Sequence, residues 1–109
     1  TSHYAPRSRL RLSAERQHKG EEMIGFGKTN GAGKLQLNLS PSGDLIEAAA
    51  NLFSMLHAAD ATSATKIAVA PIPNTGLGEA INDRLRRAAA PRPGPGGNNF
   101  PSTKERNIR

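Results

Sequence analysis

Apolar positions recur along the chain in two rhythms, and the changes of rhythm divide it into elements. Leu10 and Leu12 alternate with Arg9 and Arg11, the period of two of a short half-buried strand. Residues 13–20 suggest one or two helical turns, with Ser13 as cap and Gly20 as stop. Met23, Ile24 and Phe26 form a second short apolar run. Residues 27–34 hold three glycines and Asn30 and read as a flexible hairpin loop. Leu35, Leu37 and Leu39 alternate with Lys34, Gln36 and Asn38, which predicts a strand over 35–39.

After the turn at residues 40–44 the period becomes helical. Leu45, Ala49, Leu52 and Leu56 stack at steps of three and four, and Ile46 and Phe53 widen the stripe. Ser42 or Asp44 can cap this helix, and Glu47 suits the positive end of its dipole. Ile67 to Ile72 is a nearly all-apolar run, the kind buried at the centre of a sheet, and Pro71 and Pro73 end it. Leu77, Ala80, Ile81, Leu85 and Ala88 then mark a second helix. Its C-terminal half carries Arg84, Arg86 and Arg87, where the dipole favours cations. The expected order is strand, strand, strand, helix, strand, helix. The second half, 35–39, 44–59, 66–70 and 77–90, is a β–α–β–α unit, which implies parallel strands. The fold expected is α/β, a small Rossmann-like layer with a mostly parallel sheet and two main helices. Residues 91–109, rich in Pro, Gly and Asn, read as a disordered tail.

Composition narrows this picture. The chain has 109 residues and no cysteine or tryptophan, and aromatics make up 4%. The core must therefore be built from Ala, Leu and Ile, without disulfides. The absence of cysteine fits a reducing compartment, and the cytoplasm is the expected location. No apolar run approaches the ~20 residues a membrane-spanning helix needs. Thr1 stands where an initiator methionine would, which raises the expectation of a piece cut from a longer chain.

The net charge is +6, which invites a nucleic-acid reading. Residues 1–12 and 91–109 each carry an excess of three positive charges, whereas 13–78 sum to −1 and 79–90 to +1. The excess thus sits at the ends rather than on a folded face.

Candidate chemistry is sparse. Gly27-Lys28-Thr29 resembles the end of a phosphate loop, but Glu22 stands where the pattern needs its first glycine, and a strand rather than a helix follows. Thr75, Gly76 and Gly78 lie between a strand and a helix start, the place where dinucleotide folds hold pyrophosphate. Ile81 stands where the third glycine belongs, so a tight structural turn is the preferred reading, with a weak anion site as the alternative. His3, His18 and His57 share no metal-ligand spacing, and no metal site is expected. Asp83 and Arg87 form an i, i+4 pair. No nucleophile, base and orienting group come together, so no catalytic residue is assigned.

Three stretches together resemble one family. His3-Tyr4-Ala5-Pro6, followed by Leu10 and Leu12, is similar to the interdomain linker of long-form threonylcarbamoyl-AMP synthases. Glu47 to Phe53, with Leu56 and Asp60, resembles a helix of that family's C-terminal domain, with Ala50 and His57 where Arg is common. Gly76-Leu77-Gly78-Glu79-Ala80-Ile81-Asn82-Asp83-Arg84-Leu85-Arg86-Arg87-Ala88-Ala89 resembles its "GLGxAIxDRLxRAA" signature. The resemblance implies residues 1–9 as linker remnant, 10–90 as an auxiliary α/β domain and 91–109 as tail. It implies a parent enzyme, a nucleotidyltransferase, that makes threonylcarbamoyl-AMP from threonine, bicarbonate and ATP for tRNA modification. ATP and Mg would belong to the parent's N-terminal YrdC-like catalytic domain, the expected partner, and no cofactor is expected for this chain. His3, Tyr4 and Pro6 become candidate contacts with that domain. The alternative is a basic RNA- or tRNA-binding module using Arg84, Arg86 and Arg87. A nucleotide is a further candidate ligand, and no membrane partner is expected.

Overall fold

The computed structural model describes residues 6–90. His3, Tyr4 and the segment 91–109 lie outside the described residues. Five elements follow in order: β1 (Arg9–Arg11), β2 (Glu21–Ile24), α1 (Leu45–Asp60), β3 (Lys66–Val69) and α2 (Leu77–Ala89). The strands form one sheet in the order β1-β3-β2, with both pairings parallel. Arg9, Lys66 and Glu21 share one row of the register, and Leu10, Ile67 and Glu22 the next. The architecture is thus the expected α/β one, a parallel sheet with two helices.

β3 occupies the middle because Ile67, Ala68 and Val69 are fully buried and can face protein on both sides. α1 packs on β2 and on α2, and α2 packs on β1. α1 buries Ala48, Leu52, Leu56 and Ala59. Its start is capped by Asp44, whose carboxylate accepts the Ile46 N–H at 2.9 Å. Glu47, in the first turn, accepts the hydroxyl of fully buried Ser40 at 2.6 Å. Ile46 and Phe53, expected to widen the buried stripe, are instead 71% and 38% exposed. Their side chains lie beyond the arc that faces the sheet.

Two expected elements are absent. Residues 13–20 form no helix. Ser13 has a positive φ of 53°, not the β-region backbone of a serine N-cap, and the Ala14 N–H donates to the Val69 carbonyl, extending the sheet contact instead. The segment is further held by His18 N–H on the Glu21 carboxylate and by Gln17 on the Glu21 carbonyl.

Residues 35–39 also form no strand of the sheet. Leu37 and Leu39 do turn inward, but Leu35 is 43% exposed and Gln36 has a φ of 52°, which breaks the extended run. The segment makes a single parallel bridge, Asn38 to Gly25, beyond β2. The strand that precedes α1 in the β–α–β unit is therefore β2. The alternation of leucines arose from a loop that drops two side chains into the core.

The glycine stretch between these segments folds back tightly. Phe26 and Thr29 exchange backbone hydrogen bonds of 2.9 and 3.1 Å across the turn carrying Gly27 and Lys28. A Cβ at Gly31 would stand 1.9 Å from the Leu37 carbonyl oxygen, so only glycine lets these two backbones approach. Glu22, 2% exposed, accepts the Lys34 and Leu35 N–H groups and ties the loop to β2.

Candidate functional site

Pro6, the first described residue of the expected interdomain linker, is buried, and the two that follow it are clamped. The clamp is Asp60, the last residue of α1. Its Oδ1 accepts the Ser8 N–H at 2.8 Å and the Ser8 hydroxyl at 2.7 Å, and its Oδ2 accepts the Arg7 N–H at 3.0 Å. The Arg7 guanidinium donates to the Asp60 backbone carbonyl at 3.1 Å. It thereby sets a positive charge at the helix C-terminus, where an acidic side chain alone would be unfavourable. The Ser8 hydroxyl also reaches the Ala64 carbonyl at 3.2 Å. Asp60 itself is only 8% exposed, whereas the Arg7 side chain is 80% exposed. Arg7, Ser8, Asp60 and residues 62–65 line a small polar cleft of about 270 Å³. A larger depression of about 640 Å³ runs alongside, between residues 6–10 and the end of α2 at 88–90.

In the sequence Asp60 stood out only as part of the family-like helix. The available signal was a carboxylate at the end of a helix, against the dipole. Such a group calls for donors from elsewhere, and here they come from the lead-in segment.

One row deeper stands a second carboxylate. Glu21, 4% exposed, receives Arg11 through Nε and an NH₂ group, both at 2.8 Å, and the His18 N–H at 2.7 Å. The Arg11 hydrogen bonds hold the Glu21 carboxyl well below the usual carboxylate range, at about 2, against the opposing effect of burial. The same contact raises Arg11. This pair fastens β1 to β2 across β3. Arg11 and the His18 N–H occupy both Glu21 carboxylate oxygens, the arrangement of a structural pair.

The turn Thr75-Gly76-Gly78 lies where expected, at the N-terminus of α2. Gly76 is the N-cap, with φ 54° and no side-chain cap. The Gly78 N–H donates to the Thr75 carbonyl at 2.8 Å, and the Glu79 N–H to the Gly76 carbonyl at 3.1 Å. A Cβ at Gly78 would come within 1.7 Å of the Pro73 carbonyl oxygen, so the glycine brings α2 against the segment leaving β3. Asn82 completes that junction by donating to the Ile72 carbonyl at 3.0 Å.

The three arginines of α2 are all exposed but do not act alike. Arg84 lies over the Phe53 ring, 5.1 Å from its centroid, and Arg87 pairs with Asp83 at 3.1 Å. Arg84 and Arg87 share a helix face, and Arg86 points away from it. Among the described residues no three His, Asp or Glu side chains stand where they could hold a metal ion. No described helix is long and apolar enough to cross a membrane.

Comparison with curated proteins and with solved structures gave no match. A family model does match: the one described as threonylcarbamoyl-AMP synthase, C-terminal domain, covers residues 1–90. The matched span includes both helices, all three strands and the clamped lead-in, so the chain belongs to the family of threonylcarbamoyl-AMP synthase C-terminal domains.

Proposed function

We propose that this chain is a non-catalytic interaction module of a threonylcarbamoyl-AMP synthase, and that it works by holding the segment that joins it to the catalytic domain. The observation that carries this reading is the Asp60 clamp. A single buried carboxylate takes two backbone N–H groups and one hydroxyl from Arg7 and Ser8, which fixes where that segment leaves the domain. The polar side chains that motif matching singles out have structural partners: Asn51 on the Leu39 carbonyl, Asn82 on the Ile72 carbonyl and Asp60 on the lead-in. None of them forms part of a reacting constellation.

On this reading the chemistry belongs to the linked domain, a nucleotidyltransferase that joins threonine, bicarbonate and ATP and releases pyrophosphate in the cytoplasm, with ATP and Mg bound there. The present domain supplies orientation. His3, Tyr4 and Pro6 are the candidate contacts with the catalytic domain, and the Tyr4 ring is suited to cover an apolar surface while its hydroxyl bonds outward.

The test uses the full-length synthase, with pyrophosphate release as readout. Tyr4→Ala is expected to slow adenylate formation while leaving the melting temperature nearly unchanged. Wild-type activity in that variant removes the linker proposal. Residues 1–109 alone are expected to turn nothing over, and measurable synthesis by them would overturn the non-catalytic reading. An RNA-binding role for Arg84, Arg86 and Arg87 finds less support, because two of the three guanidinium groups already have partners within the domain.

A further inference from the structure

We infer that the exposed row at the N-terminal edge of the sheet, Arg9 beside Lys66 with Arg7 at its flank, is a docking face for an acidic surface of the linked catalytic domain. This rests on the reading above, in which such a domain is joined through the lead-in segment.

Arg9 and Lys66 are register partners on adjacent parallel strands. Their backbones are about 4.8 Å apart, and partners in one row point to the same face of the sheet. Both are exposed. Among the described residues neither side chain makes an ion pair or hydrogen bond. The third member of the row, Glu21, does not neutralise them, because its oxygens are taken by Arg11 and by the His18 N–H. Like charges set directly opposite each other on a sheet repel. Among the described residues no acidic group pairs with either of them.

The pair's location supplies a partner. The lead-in joins the body at this edge: Ser8 and Arg7 are held on Asp60, and the Arg9 N–H donates to the Thr65 carbonyl at 3.1 Å. A domain joined through that segment is tethered next to Arg9 and Lys66. Tethering raises the effective concentration, so a few complementary charges suffice to set orientation. The patch is poorly made for single-stranded RNA, since it has no aromatic platform for bases. Phe26 is 9% exposed, and Phe53 sits on α1 against Arg84 of α2.

Carbodiimide coupling of the full-length synthase, followed by peptide mapping, reads this contact through Lys66. The expected product joins Lys66 to an Asp or Glu of the catalytic domain. Its yield should fall about fivefold at high salt, and by a similar factor in Arg9→Glu at low salt. A second measurement needs no variant: acetylation of Lys66 should be slower in the intact synthase at low salt than at high salt. Coupling of Lys66 only to its own domain or to a second copy, or salt-independent acetylation, overturns the docking face. So does protection of Lys66 by added tRNA alone. Pyrophosphate release is followed in the same samples. If deleting residues 6–90 leaves that rate unchanged, the module reading itself fails, whereas an active synthase without the Lys66 product loses only the docking face.

Discussion

Replacing Asp60 with alanine removes three acceptor contacts at once and leaves two backbone N–H groups of the lead-in without their partners. Hydrogen bonds to a charged group contribute about 1.5–3 kcal/mol each, and they are not additive when they share one carboxylate. Arg7 and Ser8 are partly solvated, and water recovers some of the loss. Removing a negative charge from a helix C-terminus returns about 0.3–1 kcal/mol. The hydrogen bonds win, and the expected net cost is about 2–4 kcal/mol. Against a total of about 5–10 kcal/mol for a domain of this size, that is a large fraction. It corresponds to a melting temperature lower by about 10–20 °C. Asp60→Asn keeps the shape and one oxygen but turns an NH₂ group towards one of the donors, so about half the effect is expected. The assay is urea and thermal unfolding of the 109-residue chain, with hydrogen exchange read at the Arg7, Ser8 and Arg9 amides. A loss below about 0.5 kcal/mol in Asp60→Ala, with those amides exchanging no faster, would refute the clamp as an energetic contact.

Three further outcomes follow from the same structure. Glu21 is held at about 2, below its ordinary 4.5, so the stability it contributes is present above pH 4.5 and is lost as pH falls from there through about 2. Glu21→Gln should flatten that part of a stability-against-pH curve, and an unchanged slope would show that other carboxylates cause it. Gly78→Ala should be far more damaging than Gly43→Ala: the first drives a Cβ to 1.7 Å from a backbone oxygen, whereas the second meets only open space at φ +80°. We expect a loss of about 3 kcal/mol or more against about 1 kcal/mol, and equal losses in urea unfolding would contradict the close packing at the start of α2. Leu56→Ala, deep in the core, should cost about 2–5 kcal/mol. Phe53→Ala, more than a third exposed, should cost about 1 kcal/mol or less; similar midpoints for the two would show that Phe53 is buried in solution.

Both helices and β3 were legible because a single physical cause sets each pattern. The stripe of Leu45, Leu52 and Leu56 can be buried only by a helix, and Ile67-Ala68-Val69 only by a strand with cover on both sides. The misreadings have the opposite origin. Leu35, Leu37 and Leu39 alternate as a strand would, yet the backbone between them turns through a positive φ at Gln36, and the glycine loop decides where the side chains go. The apolar run at Met23 and Ile24 marked β2, but its start was hard to see because it begins with two adjacent glutamates, residues that look solvated. Each is buried by partners far from it in the chain, Arg11 for Glu21 and the 34–35 amides for Glu22. The Asp60 clamp was hidden for the same reason, since Arg7 lies 53 positions away. Local pattern reports burial well and reports long-range polar pairing poorly.

The order β1-β3-β2 has a consequence for how the domain comes into being. The central strand is the last of the three in the chain, so during synthesis β1 and β2 have no sheet partner until residues 66–69 emerge. Closing loops of that length costs entropy before any ladder bond is gained, which makes sheet assembly a late, concerted event with few stable stages before it. The lead-in must wait as well, because its anchor Asp60 and its hydrogen-bond partner Thr65 immediately precede that strand. A chain interrupted anywhere before β3 would therefore lack the sheet and much of the lead-in's anchorage together, rather than forming a smaller version of this domain.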